Sequence, residues 1–352
     1  MAVMTTPLAD THRAAGAQMA EFCGCDLPSR FSEFEREYRA AKQALALFDT
    51  NAQAILLLTG RDRLSYLQAI SSQDIRALAQ GRGALALLLN PQGHILAELE
   101  VYALPEKLLV LSHAAFRERT VATLKKYVVG SQVQIDDQTD RMGSLALEGP
   151  QALQAVLETC DASLGEALEL SAVEASISGA PCYWLRRSHF NQAGAQLIVG
   201  RESLAASWEK LLRAVRARDG EPIGMEALNA LRLEAAIPWF PADFNDAVIP
   251  QEAAIEDTHI AFNKGCYTGQ EIVERVRSRG HVNRKRVRLA FSTSTPPLSG
   301  TKLRTNGTEV GYVTSAAFSP RAGTAIGMGY VRREQFAPGS SVQFEGGIAT
   351  VE

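Results

Sequence analysis

No stretch of this 352-residue chain stays apolar long enough to cross a bilayer as a helix. The longest aliphatic runs, Ala54–Leu58 and Ala84–Leu89, fall far short of the roughly 20 residues a spanning helix needs. The opening segment, MAVMTTPLADTHRAAGAQ, contains no apolar signal-peptide core, so the sequence predicts a cytoplasmic protein with no membrane partner. Cysteine is scarce. Cys23, Cys25, Cys160, Cys182 and Cys266 are too few, and odd in number, for a disulfide framework, which points to reduced thiols. Neither sign of charge dominates: the net charge of −3 and pI near 6.1 argue against bulk affinity for nucleic acid or membrane surfaces. Any polyanion site must be a local patch.

Several common signatures are also missing. There is no P-loop spelling, no H-E-x-x-H and no G-x-S-x-G. Gly81, Gly83 and Ala86 satisfy a G-x-G-x-x-A spelling, but they precede a strand, whereas a dinucleotide site needs a strand before the glycines and a helix after them. Cys23-Gly24-Cys25 has no second ligand pair at metal-site spacing and reads as two idle thiols, so no metal is expected. The six histidines are scattered and read as packing or hydrogen-bonding residues. No internal repeat or low-complexity tract is present.

The sequence does contain an ordinary globular composition, 46% hydrophobic and 21% charged, with room for two or three domains. Ser32 and Glu35 spell a capping box ahead of a helix carrying Phe34, Tyr38 and Leu45. A second helix follows Gly60. Gly81–Tyr102 reads as a β-hairpin turning at Pro91-Gln92-Gly93, Arg117–Tyr127 as a helix and 133–135 as a short strand. Between 151 and 215 a helix, two strands and a helix through Trp208 and Leu211 follow, and then a short helix ends before Pro238. Residues 241–263 read as a loop. The last 65 or so residues are short strands with Asn306-Gly307 and Gly346-Gly347 at hairpin positions, the pattern of a small β-barrel. The fold class is α+β with a β-rich C-terminus.

One run carries a chemical signal: Lys264-Gly265-Cys266-Tyr267-Thr268-Gly269-Gln270-Glu271. Thr268 and Glu271 spell a capping box that predicts a helix from Gly269 to Gly280, with Glu271 and Arg275 spaced to pair along it. Cys266 then precedes the helix start and Lys264 lies nearby, both of which favour a thiolate. A capped helix beside an inert cysteine explains the same letters. Further on, RVRSRGHVNRKRVRL holds seven Lys or Arg between Arg275 and Arg288 and no acid. It reads first as solvated sides of a helix and strand, then as an anion site; lacking interleaved aromatics, it argues weakly for RNA.

KGCYTGQE resembles the signature of the YgfZ family, folate-binding proteins linked to maintenance of iron–sulfur enzymes and to tRNA modification. LKKYVVGSQVQI (124–135), LRLEAAIPWF (231–240) and IPQEAAIEDTHIAFNKG (249–265) resemble YgfZ segments as well. That family is similar to the glycine cleavage T-protein, an aminomethyltransferase that uses tetrahydrofolate. GAQMAEFCGCDLP (16–28), ALFDTNAQAILLLTGRDRLSYLQ (46–68) and LLLNPQGHIL (87–96) are T-protein-like. The T-protein hairpin ends in two aspartates, one catalytic, and their positions are Ala97 and Glu98 here. Its pterin-gripping glutamate falls on Gln196, and Arg232 matches an arginine segment suited to a folate contact.

The resemblance implies a three-part GcvT/YgfZ-like ring: 1–51 with 138–240, 52–137 with 241–285, and a barrel from 286 to 352. Tetrahydrofolate or a derivative would sit centrally, where the hairpin, Arg232 and the Cys266 loop converge, with Cys266, Lys264 and Glu98 as reactive groups and Arg232, Gln196, Tyr267, Gln270 and Glu271 as folate contacts. The function so implied is an accessory factor for iron–sulfur cluster assembly or repair, partnered by iron–sulfur enzymes or their assembly machinery, rather than a free-standing catalyst. Its rivals are a tetrahydrofolate-dependent aminomethyltransferase working with a lipoyl carrier protein, and an RNA-binding accessory.

Overall fold

Two sheets share one buried seam, and everything that follows depends on it. The computed structural model describes residues 3–160 and 168–352. Ala46–Asp49, Met142–Glu148, Ser171–Ile177, Ala180–Arg186, Gly194–Gly200 and Glu221–Pro222 form a six-stranded sheet. Gln53–Thr59, Gly83–Leu89, Ile95–Leu104, Lys107–His113 and Gln134–Asp137 form a five-stranded sheet. Helix Arg201–Arg216 covers one face of the first with Trp208, Leu211 and Val215. Helices Arg63–Ile70 and Arg117–Lys126 cover one face of the second with Tyr66, Leu67 and Leu124. The opposite faces meet, and Ile55, Tyr102, Leu109 and Leu111 of one sheet pack on Leu185 and Ile198 of the other.

A third, three-stranded sheet (Met4–Thr5, Gln18–Phe22, Cys25–Arg30) closes one end of the seam. The C-terminal strands close into the expected barrel, in the order Arg284–Phe291, Thr324–Arg332, Thr308–Ser319, Lys302–Thr305, Ser341–Phe344, Gly347–Val351. Asn306 and Gly307, with φ of 50° and 80°, make the hairpin turn their pairing predicts. Helix Met225–Glu234 docks the barrel through Ala230 and Leu233 on Ala317, Ile326 and Met328.

Three local expectations are corrected. The Ser32–Glu35 capping box does not form, because the helix is Phe34–Gln43 with no side-chain cap. The fully buried Glu37 serves the entry instead, accepting from Phe31 N and Ser32 N with Oε1, and from Gly224 N at 2.8 Å with Oε2. Residues 241–263 are not a plain loop, since they hold the short helices Pro250–Ala253 and Glu256–His259. Pro250, with its φ preset and its missing N–H at a position that needs none, starts the first. The helix after the Cys266 loop is Gln270–Arg279, and Gly269 in the left-handed region (φ 83°) stands at its N-cap without a side-chain cap from Thr268.

Candidate functional site

Strand alternation decides what the hairpin offers. Along Ile95–Leu104 the odd positions Ala97, Leu99, Val101 and Ala103 enter the helix-covered core, while Tyr102 and Leu104 enter the seam between sheets. Glu98 and Glu100 share the seam face, and there the seam opens into a cavity of about 160 Å³. Of the two positions that match aspartates in the T-protein hairpin, Ala97 is therefore sealed in the core at 1% exposure and Glu98 faces the cavity.

Glu98 is held from outside its own sheet. His259, 4% exposed, places Nε2 2.9 Å from Glu98 Oε1, and its Nδ1 lies 2.7 Å from Thr258 Oγ1. Among the described residues Glu98 Oε2 has no hydrogen bond and remains for a donor. Glu100 is committed to its neighbours, accepting from Tyr102 Oη and from Arg187 Nε at 3.1 Å. Asp49, also on the lining, takes Thr6 Oγ1 and lies 2.8 Å from His12 Nε2. Phe22, Trp239 and Phe240 supply flat apolar walls, and Gln53 and His189 add polar groups.

His113 Nδ1 accepts from Ala115 N at 3.3 Å, which leaves the ring proton on Nε2. Burial pushes its pKa down to about 4. The ring is thus a neutral cavity group at pH 7, and it stays neutral in the folded state after an unfolded chain would have taken a proton near pH 6.5. Stability should fall as pH drops from about 6.5 to 4, by up to about 3 kcal/mol from this group. His113→Gln should flatten that limb of a urea-midpoint-versus-pH series, and parallel wild-type and variant curves would refute the assignment.

Cys23 lines the same cavity from the turn between Gln18–Phe22 and Cys25–Arg30, with φ of 51° ahead of Gly24. Burial raises the thiols of Cys23 and Cys25 to about 11, so both are protonated at neutral pH. Among the described residues no His/Cys/Asp/Glu group has metal-site geometry.

The remaining residues singled out by sequence do not converge on this cavity. Cys266 is exposed and absent from the lining, so its thiol does not open into the central space. Lys264 is turned from it: its ammonium donates to the carbonyls of Gln68, Ser71 and Gln73, and burial lowers its pKa to about 8. Tyr267 packs in a core with Leu89, Ile95 and Val273. Gln270 and Glu271 lie in the first turn of the following helix, and Glu271 pairs with Arg275 as its spacing predicts. Gln196 is wholly buried behind the lining, donating to Gln53 Oε1 and to Ser144 Oγ at 2.8 Å. Arg232 is also wholly buried, paired with Asp243 and stacked 4.7 Å from the Trp239 ring. It lies behind the lining residue Trp239, and its partner Asp243 accepts from Thr314 and Ser315 of the barrel.

The Cys266 loop does meet the hairpin, at its turn. A Cβ on Gly269 would lie 2.6 Å from Asn90 O, at a φ that L side chains rarely adopt. Gly269→Ala should therefore cost on the order of 1–3 kcal/mol and loosen the loop from the turn, read as faster labelling of Cys266 by a thiol reagent. Unchanged labelling and melting would count against this packing.

Sequence reasoning missed His259, His113 and Arg187. Each is an isolated letter there, and only the pairing of distant segments brings His113 and Arg187 to the cavity wall and His259 to Glu98. The retained features are a carboxylate with one open oxygen, a neutral imidazole and aromatic walls. The carboxylate can accept from, His113 Nε2 can donate to, and the aromatic rings can stack on, a flat heterocycle.

Residues 8–264 match the model of the GCVT N-terminal domain, and residues 284–349 match the glycine cleavage T-protein C-terminal barrel domain. The chain is 28% identical over 342 residues to an aminomethyltransferase of Bacillus subtilis, covering 97% of this chain and 94% of that one. It is 26% identical over 329 residues to an aminomethyltransferase of Thermotoga maritima, covering 93% and 89%. A crystal structure of glycine cleavage system aminomethyltransferase T from Bartonella henselae superposes with a TM-score of 0.91 at 25% identity, over 99% of this chain and 96% of that one. Cys266 and the helix Gln270–Arg279 fall between the two matched segments.

Proposed function

The chain belongs to the family of the GCVT N-terminal domain, carried ahead of a T-protein barrel, and on that premise we propose that its central cavity binds a reduced folate for aminomethyl transfer. One observation carries this reading: Glu98 presents an open carboxylate oxygen to the cavity while His259 fixes the other at 2.9 Å. The residues fit such a group. A space of about 160 Å³ admits one ring system, comparable to a cavity that holds benzene, so a pterin ring can enter while an acidic tail stays outside. Trp239, Phe22 and Phe240 offer faces for stacking, and Glu98 Oε2 an acceptor for ring N–H groups.

Bound tetrahydrofolate would supply the nucleophilic nitrogens that take up the carbon unit. Glu98 would hold or remove the proton at such a nitrogen, which a carboxylate within hydrogen-bond reach can do. His259 would keep that carboxylate aimed, and the aromatic walls would exclude water. Names of the relatives as aminomethyltransferases support the same reading.

A second reading is favoured by the exposed thiol of Cys266 in the KGCYTGQE loop, outside both matched segments. It makes the chain a YgfZ-like folate-binding accessory of iron–sulfur enzymes, acting at its surface. Purified protein, tetrahydrofolate and an aminomethyl-loaded lipoyl carrier separate the two. Turnover that survives Cys266→Ala supports transfer. Folate binding without turnover, with client support lost in Cys266→Ala, supports the accessory role. No binding at millimolar tetrahydrofolate would sink both.

A further inference from the structure

The helix Glu256–His259, whose last residue holds Glu98, also borders a second cavity, of about 480 Å³. Its other walls come from helix Gln270–Arg279, the start of the first barrel strand, and the Arg333–Gln335 turn with Phe336. The space lies well within the range of small-molecule sites. It is larger than the central cavity, and nothing in the folate reading uses it.

The basic run sorts itself around this space. Arg275 pairs with Glu271, Arg284 with Glu252 and Arg288 with Glu352, while Arg286 is buried against the carbonyl of Ala253. Arg277 stacks on the Phe262 ring at 4.1 Å, and both line the cavity. Lys285 and Arg333 line it too, and neither side chain makes a hydrogen bond or ion pair among the described residues.

Two acceptors mark the inner side. Gln251, 8% exposed, donates Nε2 to Val273 O at 3.0 Å, and that bond fixes the amide so that Oε1 is left without a partner. Glu256 Oε2 is likewise buried and has no hydrogen-bond partner among the described residues, while the backbone N–H groups of Ile255 and Glu256 serve the same carboxylate. Each orphan acceptor costs about 1–3 kcal/mol unless a donor reaches it. Burial raises the Glu256 pKa, although Lys285 opposes this. The lining thus combines two buried acceptors, two aromatic rings, the half-buried Lys285 and the exposed Arg333, with Asp257 as a further acid.

We propose that this cavity binds an amino-bearing aromatic heterocycle carrying an anionic group, with N–H donors toward Gln251 and Glu256, its ring against Phe262 and Phe336, and its anion at Lys285 and Arg333. A phosphate-bearing adenine nucleotide has this chemistry. So does a pterin with carboxylates on its tail, which would make this a second folate site.

Calorimetric titration of the full chain with adenosine monophosphate, tetrahydrofolate, adenosine and inorganic phosphate tests the proposal. Binding of the monophosphate, or of a second equivalent of tetrahydrofolate, should weaken tenfold or more in Lys285→Ala/Arg333→Ala and in Gln251→Leu, and persist in Glu98→Gln. The first result identifies a nucleotide site and the second a pterin site. Should Gln251→Leu fail to fold, the Lys285→Ala/Arg333→Ala variant decides alone. The proposal is overturned if neither ligand binds this cavity below about 1 mM, if phosphate alone binds as tightly as the nucleotide, or if the variants leave affinity unchanged.

Discussion

Glu98→Gln should lower one-carbon transfer by about 10²–10⁴ while changing tetrahydrofolate affinity by less than about tenfold. The amide keeps the side chain's length and can still meet His259 Nε2, 2.9 Å from the present Oε1, so the cavity keeps its shape. It cannot take a proton. A loss in kcat with little change in dissociation constant is the signature of a group that acts on the reacting atoms. Glu98→Asp should restore part of the rate, limited by the shorter reach, because a misplacement of about 1 Å can cost about 100-fold. His259→Gln, which keeps a donor but not an imidazole, should fall between them. Wild-type turnover in Glu98→Gln would remove the carboxylate from the mechanism. If the unsubstituted protein binds folate but transfers nothing, the accessory reading gains.

Asp243→Ala should be the most destabilising single change, at roughly 3–5 kcal/mol and on the order of 10 °C in melting temperature. Asp243 accepts from the fully buried Arg232 guanidinium, from Trp239 N at 3.0 Å, from Thr314 Oγ1 at 2.7 Å and from Ser315 Oγ at 2.6 Å. Burial alone would raise its carboxyl pKa, but Arg232 and the two hydroxyls hold it below the usual range. Removing it strands a cation with no access to water, at the joint between helix Met225–Glu234 and the barrel. Replacing both partners, as in Arg232→Leu/Asp243→Leu, should recover much of the loss, since the penalty lies in the unpaired charge. Thermal unfolding of Arg232→Leu, Asp243→Leu and the double variant closes the cycle. A loss under about 1 kcal/mol for Asp243→Ala would show that this joint does not depend on the pair.

The elements most legible in sequence were those with strong local signals. The hairpin Gly83–Leu104, the barrel strands and the Asn306-Gly307 turn follow from alternation and left-handed turn residues. Helix Arg201–Arg216 follows from its apolar spacing. Capping spellings were less reliable, because Glu37 takes the backbone N–H groups at one helix entry and a glycine stands at the N-cap of the other, neither of which a four-residue motif registers. The T-protein-like hairpin named Ala97 and Glu98 together, and register alone separated them: adjacent positions on a strand face opposite ways.

By itself, then, the sequence determined the T-protein relationship, the hairpin and the barrel, because these are written in contiguous letters and in the two-residue period of strands. Only the tertiary structure decided which groups meet. It brought His259 to Glu98 across 161 positions, sealed Arg232 against Asp243 and left Cys266 on the surface. The physical reason is that a side chain's chemistry depends on its burial and its partners, and both are supplied here by segments far away in the chain.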